Sequence, residues 1–149
     1  MGERSRVRSA QTYAAGPMEL RFLYVGSEDT EADRAAWMRM PGATMRWRFR
    51  HFGADVAAVD LGGPPLVLIA DHRPAGSVLP IYAVGDLAGA TAELIDGGWR
   101  VEVGPLGTPE GDATALVDPS GTAIALLEVT RPDALDVAYA DEANTHAVR

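Results

Sequence analysis

Apolar and polar residues alternate most regularly between residues 44 and 52. One side of this stretch is apolar or aromatic and comprises Met45, Trp47, Phe49 and His51. The other side is basic and comprises Arg46, Arg48 and Arg50. Period-two alternation predicts a strand with one solvent-exposed face. We expect the arginine row to be solvated, and the alternative is that it lines a site for an anionic group.

Similar patterns along the chain predict further strands, separated by glycine and proline. Predicted strands span residues 19–25, 44–52, 55–61, 66–70, 79–84 and 99–103. A helix is predicted over about residues 28–40, with Ser27 or Asp29 as its N-terminal cap. Its expected buried stripe comprises Ala32, Ala35, Ala36 and Met40. A second helix over about 87–96 follows Gly85-Asp86, and its apolar face comprises Leu87, Ala90, Leu94 and Ile95. Residues 104–111 are predicted to form a long loop.

Residues 112–128 are predicted to form a hairpin that closes the domain. Asp118-Pro-Ser-Gly121 supplies its turn, because Asp accepts backbone hydrogen bonds, Pro fixes φ and Gly permits positive φ. Residues 123–129 are almost continuously apolar, which is typical of a strand covered on both faces.

Both halves of the chain therefore show the order strand, helix and three strands, and Val25-Gly26 corresponds to Val84-Gly85. This repeat, with Ala83-Val-Gly-Asp-Leu87, Leu94-Ile-Asp-Gly-Gly-Trp99 and Asp118-Pro-Ser-Gly121 in order, resembles the vicinal oxygen chelate (VOC) superfamily of glyoxalase I, bleomycin-resistance proteins and extradiol dioxygenases. The resemblance covers residues 20 to about 130. It implies an α+β fold in which two repeated βαβββ modules form a curled mixed sheet around a cavity.

We therefore expect a single VOC-like domain over residues 18–131, with modules at about 20–70 and 79–129. Residues 1–17 are polar and are expected to form a flexible N-terminal arm. Residues 132–149 are expected to form a frayed acidic tail, in which a short helix over 134–143 is the alternative.

Metal-binding VOC proteins place four ligands on the first and last strands of the two halves. By position these fall on Leu20, Leu66 (or Leu68), Leu79 and Ala125. The family pattern Asp-Pro-x-Gly-x-x-Ile-Glu-Leu has its ligand Glu where Ala125 stands. Divalent metals need imidazole, carboxylate or other oxygen donors, so we expect neither a bound metal nor another cofactor. No catalytic residue is carried over from the family.

The alternation of side chains along the strands, together with the resemblance, predicts that a set of mainly apolar side chains faces the expected cavity. The predicted ligand-binding residues are Leu20, Phe22, Tyr24, Trp47, Phe49, His51, His72, Leu79, Ile81, Ala125 and Leu127. An apolar cavity with aromatic walls and polar groups at its rim is typical of a small-molecule site. The alternative is that these side chains fill the sheet interior, with His51 a half-buried strand residue and His72 an exposed loop residue.

Composition narrows the function further. The chain has 149 residues and a net charge of −8, which argues against non-specific nucleic-acid binding and favours neutral or cationic ligands. It has no cysteine, and all 13 basic residues are arginine, so disulfides, thiolate nucleophiles and lysine Schiff bases are excluded. No segment approaches the ~20 apolar residues that span a bilayer. We expect a cytoplasmic location and no membrane partner.

These observations favour a metal-independent small-molecule-binding protein rather than an enzyme. It resembles bleomycin-resistance proteins, which sequester an antibiotic without altering it. The first alternative is a metal-free isomerase- or lyase-like enzyme that uses Tyr24, His51 or His72 as acid or base. A metal-dependent glyoxalase or dioxygenase and a ligand-free regulatory module are the remaining alternatives. The resemblance also implies a homodimer.

Overall fold

The structure is a computed structural model that describes residues 17–149. Eight strands are present: β1 Glu19–Gly26, β2 Thr44–His51, β3 Ala54–Asp60, β4 Leu66–Ala70, β5 Val78–Val84, β6 Arg100–Thr108, β7 Gly111–Val117 and β8 Ala123–Val129. Three helices are present among these residues: α1 Thr30–Trp37, α2 Leu87–Asp96 and α3 Ala134–Ala140. None of them is long and apolar enough to cross a membrane. Except for Pro17, the expected N-terminal arm lies outside the described residues.

The described chain divides into two compact units, of which the first comprises residues 20–80 and 132–149. Its strand order is β2-β3-β4-β1. β1 and β4 are parallel, with Tyr24 opposite Leu68, whereas β2, β3 and β4 pair in antiparallel fashion. Parallel strands need a crossover connection, and here α1 and the β2–β3 hairpin provide it.

The second unit contains residues 81–131. Its strand order is β5-β8-β7-β6, in which β5 and β8 are parallel and the other pairs are antiparallel. Each unit thus has the element order βαβββ, and its sheet runs from the second strand through the third and fourth to the first. The predicted α+β class with two repeated βαβββ modules is confirmed.

One face of the first sheet packs against α1. Val59, Val67 and Ile69 form the centre of this core, and Trp37 and Met38 contact it. The expected stripe of helix residues is wrong, since Ala32, Ala36 and Met40 are exposed and Ala35 is only half-buried. The helix ends at Trp37, so Met40 lies in the following turn. The helix instead buries Thr30, whose hydroxyl donates to the Asp55 carbonyl over 3.1 Å.

One face of the second sheet packs against α2, which has the predicted bounds. Its core comprises Val84, Leu87, Ala90, Leu116, Ile124 and Leu126, and Leu94 contacts it. Asp86 caps the helix by accepting a hydrogen bond of 3.0 Å from the Gly89 N–H. Ile95 was expected on the buried face but is 50% exposed, whereas its neighbour Leu94 packs on the core.

The turn of the closing hairpin has the predicted chemistry. Asp118 Oδ1 accepts hydrogen bonds from the backbone N–H groups of Ser120 and Thr122, over 2.9 and 2.8 Å. Gly121 has a φ of 98°, which side-chain-bearing residues rarely adopt. The predicted loop after residue 103 is wrong, because β6 continues to Thr108 through two register shifts against β7.

The arginine row of β2 is not uniformly solvated, contrary to expectation. The side chain of Arg48 is only 8% exposed and forms two hydrogen bonds with Asp55, of 2.9 and 2.8 Å. Its remaining Nη1 donates to Glu31 on α1. Hydrogen bonds from Arg48 are the main cause that holds the pKa of Asp55 below its usual value. Arg48 therefore links β2, β3 and α1.

The C-terminal tail is ordered rather than frayed. Helix α3 packs on β2, which confirms the alternative expectation of a short helix with somewhat narrower bounds. Beyond it, the Val148 N–H donates to the Arg48 carbonyl and the Arg50 N–H donates to the His146 carbonyl, each over 2.9 Å. The tail thus adds a short antiparallel segment to the outer edge of β2, through a bridge between Phe49 and Ala147.

Replacing Arg48 by Met should lower the free energy of unfolding by roughly 3 kcal/mol, because Asp55 and Glu31 would lose their buried partner. The measurement is urea unfolding at pH 7, and the control is Arg39→Met. Arg39 is exposed, so its replacement should change stability by no more than about 0.5 kcal/mol.

The difference between the wild type and Arg48→Met should also depend on pH in one direction. The pKa of Asp55 is lowered in the folded protein, so its stabilisation is present above the unfolded value of about 3.9 and is lost as pH falls through the folded value. The two proteins should therefore converge in stability towards pH 2. A difference that stays constant from pH 7 to pH 2 would contradict this role of the Arg48–Asp55 pair.

Candidate functional site

A tyrosine and a histidine form a hydrogen-bonded pair at the β1 side of the first sheet. The Tyr24 hydroxyl lies 3.1 Å from His72 Nε2, and the two rings meet edge to face with centroids 5.4 Å apart. Because β1 and β4 are parallel neighbours, the loop that follows β4 passes the end of β1 and brings His72 to Tyr24. Tyr24 is half-buried and His72 is exposed.

Burial sets the protonation states of this pair. It raises the pKa of Tyr24 to about 12, while the charge of Arg73 opposes the shift and that of Asp71 adds to it. Burial also lowers the pKa of His72, with Asp71 opposing that shift and Arg73 adding to it. At neutral pH the phenol is therefore protonated and the imidazole is neutral, so the pair can both donate and accept a proton.

Arg73, the next residue in this loop, has a buried Nε with no hydrogen-bond partner among the described residues. A buried guanidinium N–H without an acceptor is unfavourable, and such groups call for an explanation. Tyr24, His72 and Arg73 together form a polar group at the edge of an apolar surface. Sequence reasoning missed Arg73, and its only signal was its place beside His72.

The side chains next to this polar group are apolar and mostly buried. Phe22 and Leu68 are buried, and strand alternation with the register of β1 against β4 places them on the same face as Tyr24. Leu20 is half-buried and lies on this face of β1 as well. This face is opposite to the one that packs on α1. The structure thus brings together four of the predicted ligand-binding residues: Leu20, Phe22, Tyr24 and His72.

Three other predicted residues form a separate aromatic cluster at β2. Trp47 stacks on Phe49 with ring centroids 5.7 Å apart, and Phe49 stacks on Tyr139 of α3 at 4.5 Å. His51 Nδ1 lies 3.2 Å from the Tyr139 hydroxyl, and its ring stacks on His146 at 3.7 Å. Trp47 is only 7% exposed. Helix α3 and the segment after it therefore cover this cluster.

The two groups lie at opposite edges of the first sheet. β2 and β1 are separated by β3 and β4, which corresponds to roughly 14 Å between strands about 4.8 Å apart. Of these two groups, the Tyr24 group has beside it a buried polar atom, Arg73 Nε, without a hydrogen-bond partner among the described residues.

The remaining predicted residues lie on β5 and β8. In the second unit Ile81 pairs with Ala125, and Leu127 lies opposite Ala83. Ala125 and Leu127 alternate with Leu126, which faces α2, so they belong to the opposite face of that sheet. Leu79, Ala125 and Leu127 are buried, and Ile81 is half-buried.

The side chains at the superfamily's metal-ligand positions do not fit a metal ion. Leu20, Leu66, Leu68, Leu79 and Ala125 carry only hydrocarbon and offer no donor atom. Within residues 17–149, no group of three or more His, Asp or Glu side chains is arranged to hold a metal. The chemistry of the site is therefore derived from Tyr24, His72 and Arg73.

Comparison with known proteins identifies the fold. No protein-family model and no curated protein sequence matches the chain. A hypothetical protein from Bacillus halodurans superposes with a TM-score of 0.64 at 9% identity, covering 76% of this chain and 96% of its own. Methylmalonyl-CoA epimerase from Mycobacterium tuberculosis has a TM-score of 0.63 at 15% identity, with 78% and 91% covered. A methylmalonyl-CoA epimerase in complex with methylmalonyl-CoA and NH4+ gives 0.62 at 15%, with 76% and 95% covered. The chain has the VOC fold, as its sequence resemblance implied.

Replacing Trp47 by Ala should lower the free energy of unfolding by about 3–5 kcal/mol, because the ring is buried and packs against both Phe49 and Tyr139. Thermal or urea unfolding measures the loss. Phe52→Ala is the matched aromatic control, since Phe52 is 76% exposed, and it should cost about 1 kcal/mol or less. A Trp47→Ala protein with unchanged stability and reduced ligand affinity would instead place Trp47 in a binding site.

Proposed function

We propose that this chain is a metal-independent small-molecule-binding protein whose ligand lies on the Phe22–Tyr24 face of the first unit. The observation that carries the proposal is the Tyr24–His72 hydrogen bond of 3.1 Å at the border of an apolar face. A few placed polar groups beside apolar and aromatic walls are what small-molecule sites use for orientation and affinity. The hydrocarbon side chains at the metal-ligand positions support binding without a metal.

The polar atoms of the site favour a ligand with an acceptor oxygen. The Tyr24 hydroxyl can donate, and the buried Arg73 Nε is a donor without a partner in the described chain. A carbonyl oxygen would satisfy both, while a flat ligand body would contact the half-buried ring of Tyr24. Drug or metabolite sequestration of the bleomycin-resistance type belongs to this class of function.

The structural neighbours supply a defined probe of this chemistry. One methylmalonyl-CoA epimerase was solved with methylmalonyl-CoA, and the Streptomyces coelicolor enzyme was solved with 2-nitronate-propionyl-CoA. Both ligands carry carbonyl oxygens, which suits the donors near Tyr24. The net charge of −8 opposes the binding of a polyanionic CoA group, so we favour uncharged or cationic carbonyl compounds as the natural ligands.

A metal-free acid–base enzyme is the second candidate, and the protonation states of Tyr24 and His72 favour it. A neutral imidazole beside a protonated phenol can remove a proton next to a carbonyl group and return one, as an isomerase-like step requires. Turnover of the bound molecule would separate this candidate from simple sequestration.

Replacing Tyr24 by Phe should weaken ligand binding by about 5- to 20-fold, because one hydrogen bond to the ligand is lost while the aromatic face is kept. The ligand would first be identified by native mass spectrometry of protein purified from its own host, with methylmalonyl-CoA as a defined second probe. Tyr82→Phe is the matched control, since Tyr82 packs against the α2 core, and it should leave affinity unchanged.

The pH dependence of binding tests the same pair. Affinity should be constant from pH 7 to 9, because Tyr24 with a pKa of about 12 stays protonated and His72 stays neutral. It should decrease as pH falls through the lowered pKa of His72, where the imidazole gains a proton. Equal affinities of the wild type and Tyr24→Phe at every pH would place the ligand elsewhere.

The sequence resemblance also leads us to propose a homodimer, since small domains gain buried surface by pairing around a symmetry axis. Multi-angle light scattering at micromolar concentration should give twice the chain mass of 15.8 kDa. A monomer mass under these conditions would contradict the proposal. The cytoplasmic location expected from the sequence stays a prediction.

A further inference from the structure

The second unit contains a cavity of about 410 Å³ between the N-terminal half of α2 and strands β6 to β8. It lies on the helix-facing side of the sheet, because Thr114 and Asp112 precede the core residue Leu116 by two and four positions. The Tyr24 group lies in the first unit. This cavity is therefore independent of the function proposed above.

A buried threonine hydroxyl at this cavity lacks a hydrogen-bond partner. Thr91 Oγ1 is buried and has none in the described part of the chain. Thr114, which is only 2% exposed, also lines the cavity. Burying a hydroxyl without a partner is unfavourable, so Thr91 points to a molecule that supplies the partner.

The charge of the side chains that line the cavity indicates the charge of that molecule. Asp86, Asp112 and Glu128 line it, and no basic side chain within residues 17–149 does. Asp86 Oδ1 and Glu128 Oε1 accept the N–H groups of Gly89 and Leu87, over 3.0 and 2.8 Å. These bonds occupy the helix N-terminus that would otherwise attract an anion, so the cavity favours a cation.

An organic cation fits better than a metal ion. The three carboxylates do not converge, since no metal-holding group of acidic or histidine side chains exists within residues 17–149. The remaining wall is largely apolar and includes Leu87, Val101 and Pro105. We propose that this cavity binds a small organic ammonium ion, with its N–H groups donating to the Thr91 and Thr114 hydroxyls and its apolar body against these three residues.

The proposal is tested by titrating the ¹⁵N-labelled full chain with benzylamine, which is protonated at pH 7, and with benzyl alcohol as its uncharged analogue. Benzylamine should shift the amide signals of residues 87–91 and 112–114 and should bind at least about tenfold more tightly than the alcohol. Equal affinities, shifts confined to other residues, or no shift at roughly 10 mM benzylamine would overturn it.

Variants assign the interaction to named groups. Asp112→Asn and Thr114→Val should each weaken benzylamine binding by roughly 5- to 10-fold. Asp96→Asn is the control, because it also removes one carboxylate charge. Asp96 lies at the C-terminal end of α2, about 15 Å from the end that lines the cavity, so this variant should change benzylamine affinity by less than about twofold. Unchanged affinity in both cavity variants would overturn the proposal.

The stability of Thr91→Val provides a second readout that a merely structural threonine would not give. Because the Thr91 hydroxyl is buried without a partner in the described part of the chain, its removal should raise the melting temperature while affinity falls. If both melting temperature and affinity fall, the hydroxyl has a partner within the protein, and the proposed role of Thr91 is overturned. Thr114→Val repeats the affinity comparison at the other hydroxyl, should the first variant fail to fold.

Discussion

Successive residues of a strand point to opposite faces of its sheet. Each sheet therefore has two faces, and each face is either covered by other parts of the chain or accessible to a ligand. In the first unit, α1 covers one face through Trp37, and α3 covers the β2 edge of the other through Tyr139. The side near β1 carries Tyr24 with His72, beside the buried Phe22 and Leu68. The position of the candidate site therefore follows from strand alternation and from the loop after β4.

The superfamily's metal-ligand positions lie on these same strands. The positions at which VOC proteins hold a metal carry Leu and Ala, and these residues pack as hydrocarbons. The polar groups lie instead at Tyr24 and in the loop after β4, where His72 and Arg73 follow each other. Burial keeps the Tyr24–His72 pair uncharged near neutral pH, which suits recognition of a polar molecule without a metal.

Local patterns predicted the elements well, because alternation, caps and turn chemistry act over a few residues. The bounds of α2 and the Asp118 turn are examples. The sequence did not reveal the burial of Arg48, which depends on Asp55 across a hairpin register, or the cover that Tyr139 provides for Trp47 from a distant part of the chain. Such long-range contacts leave no periodic signal. They place Trp47 and Phe49 in an aromatic cluster with Tyr139, and Arg48 in a buried ion pair with Asp55.

The pairing of residues 146–148 with β2 has a practical consequence for handling the protein. These residues occupy the backbone hydrogen-bonding groups at the outer edge of β2. An uncovered edge recruits strands from other molecules, which is a common origin of aggregation. A purification tag or fusion partner attached directly after Arg149 would weaken the pairing of residues 146–148 with β2. A flexible spacer at that junction would let the fusion be made without loosening the sheet.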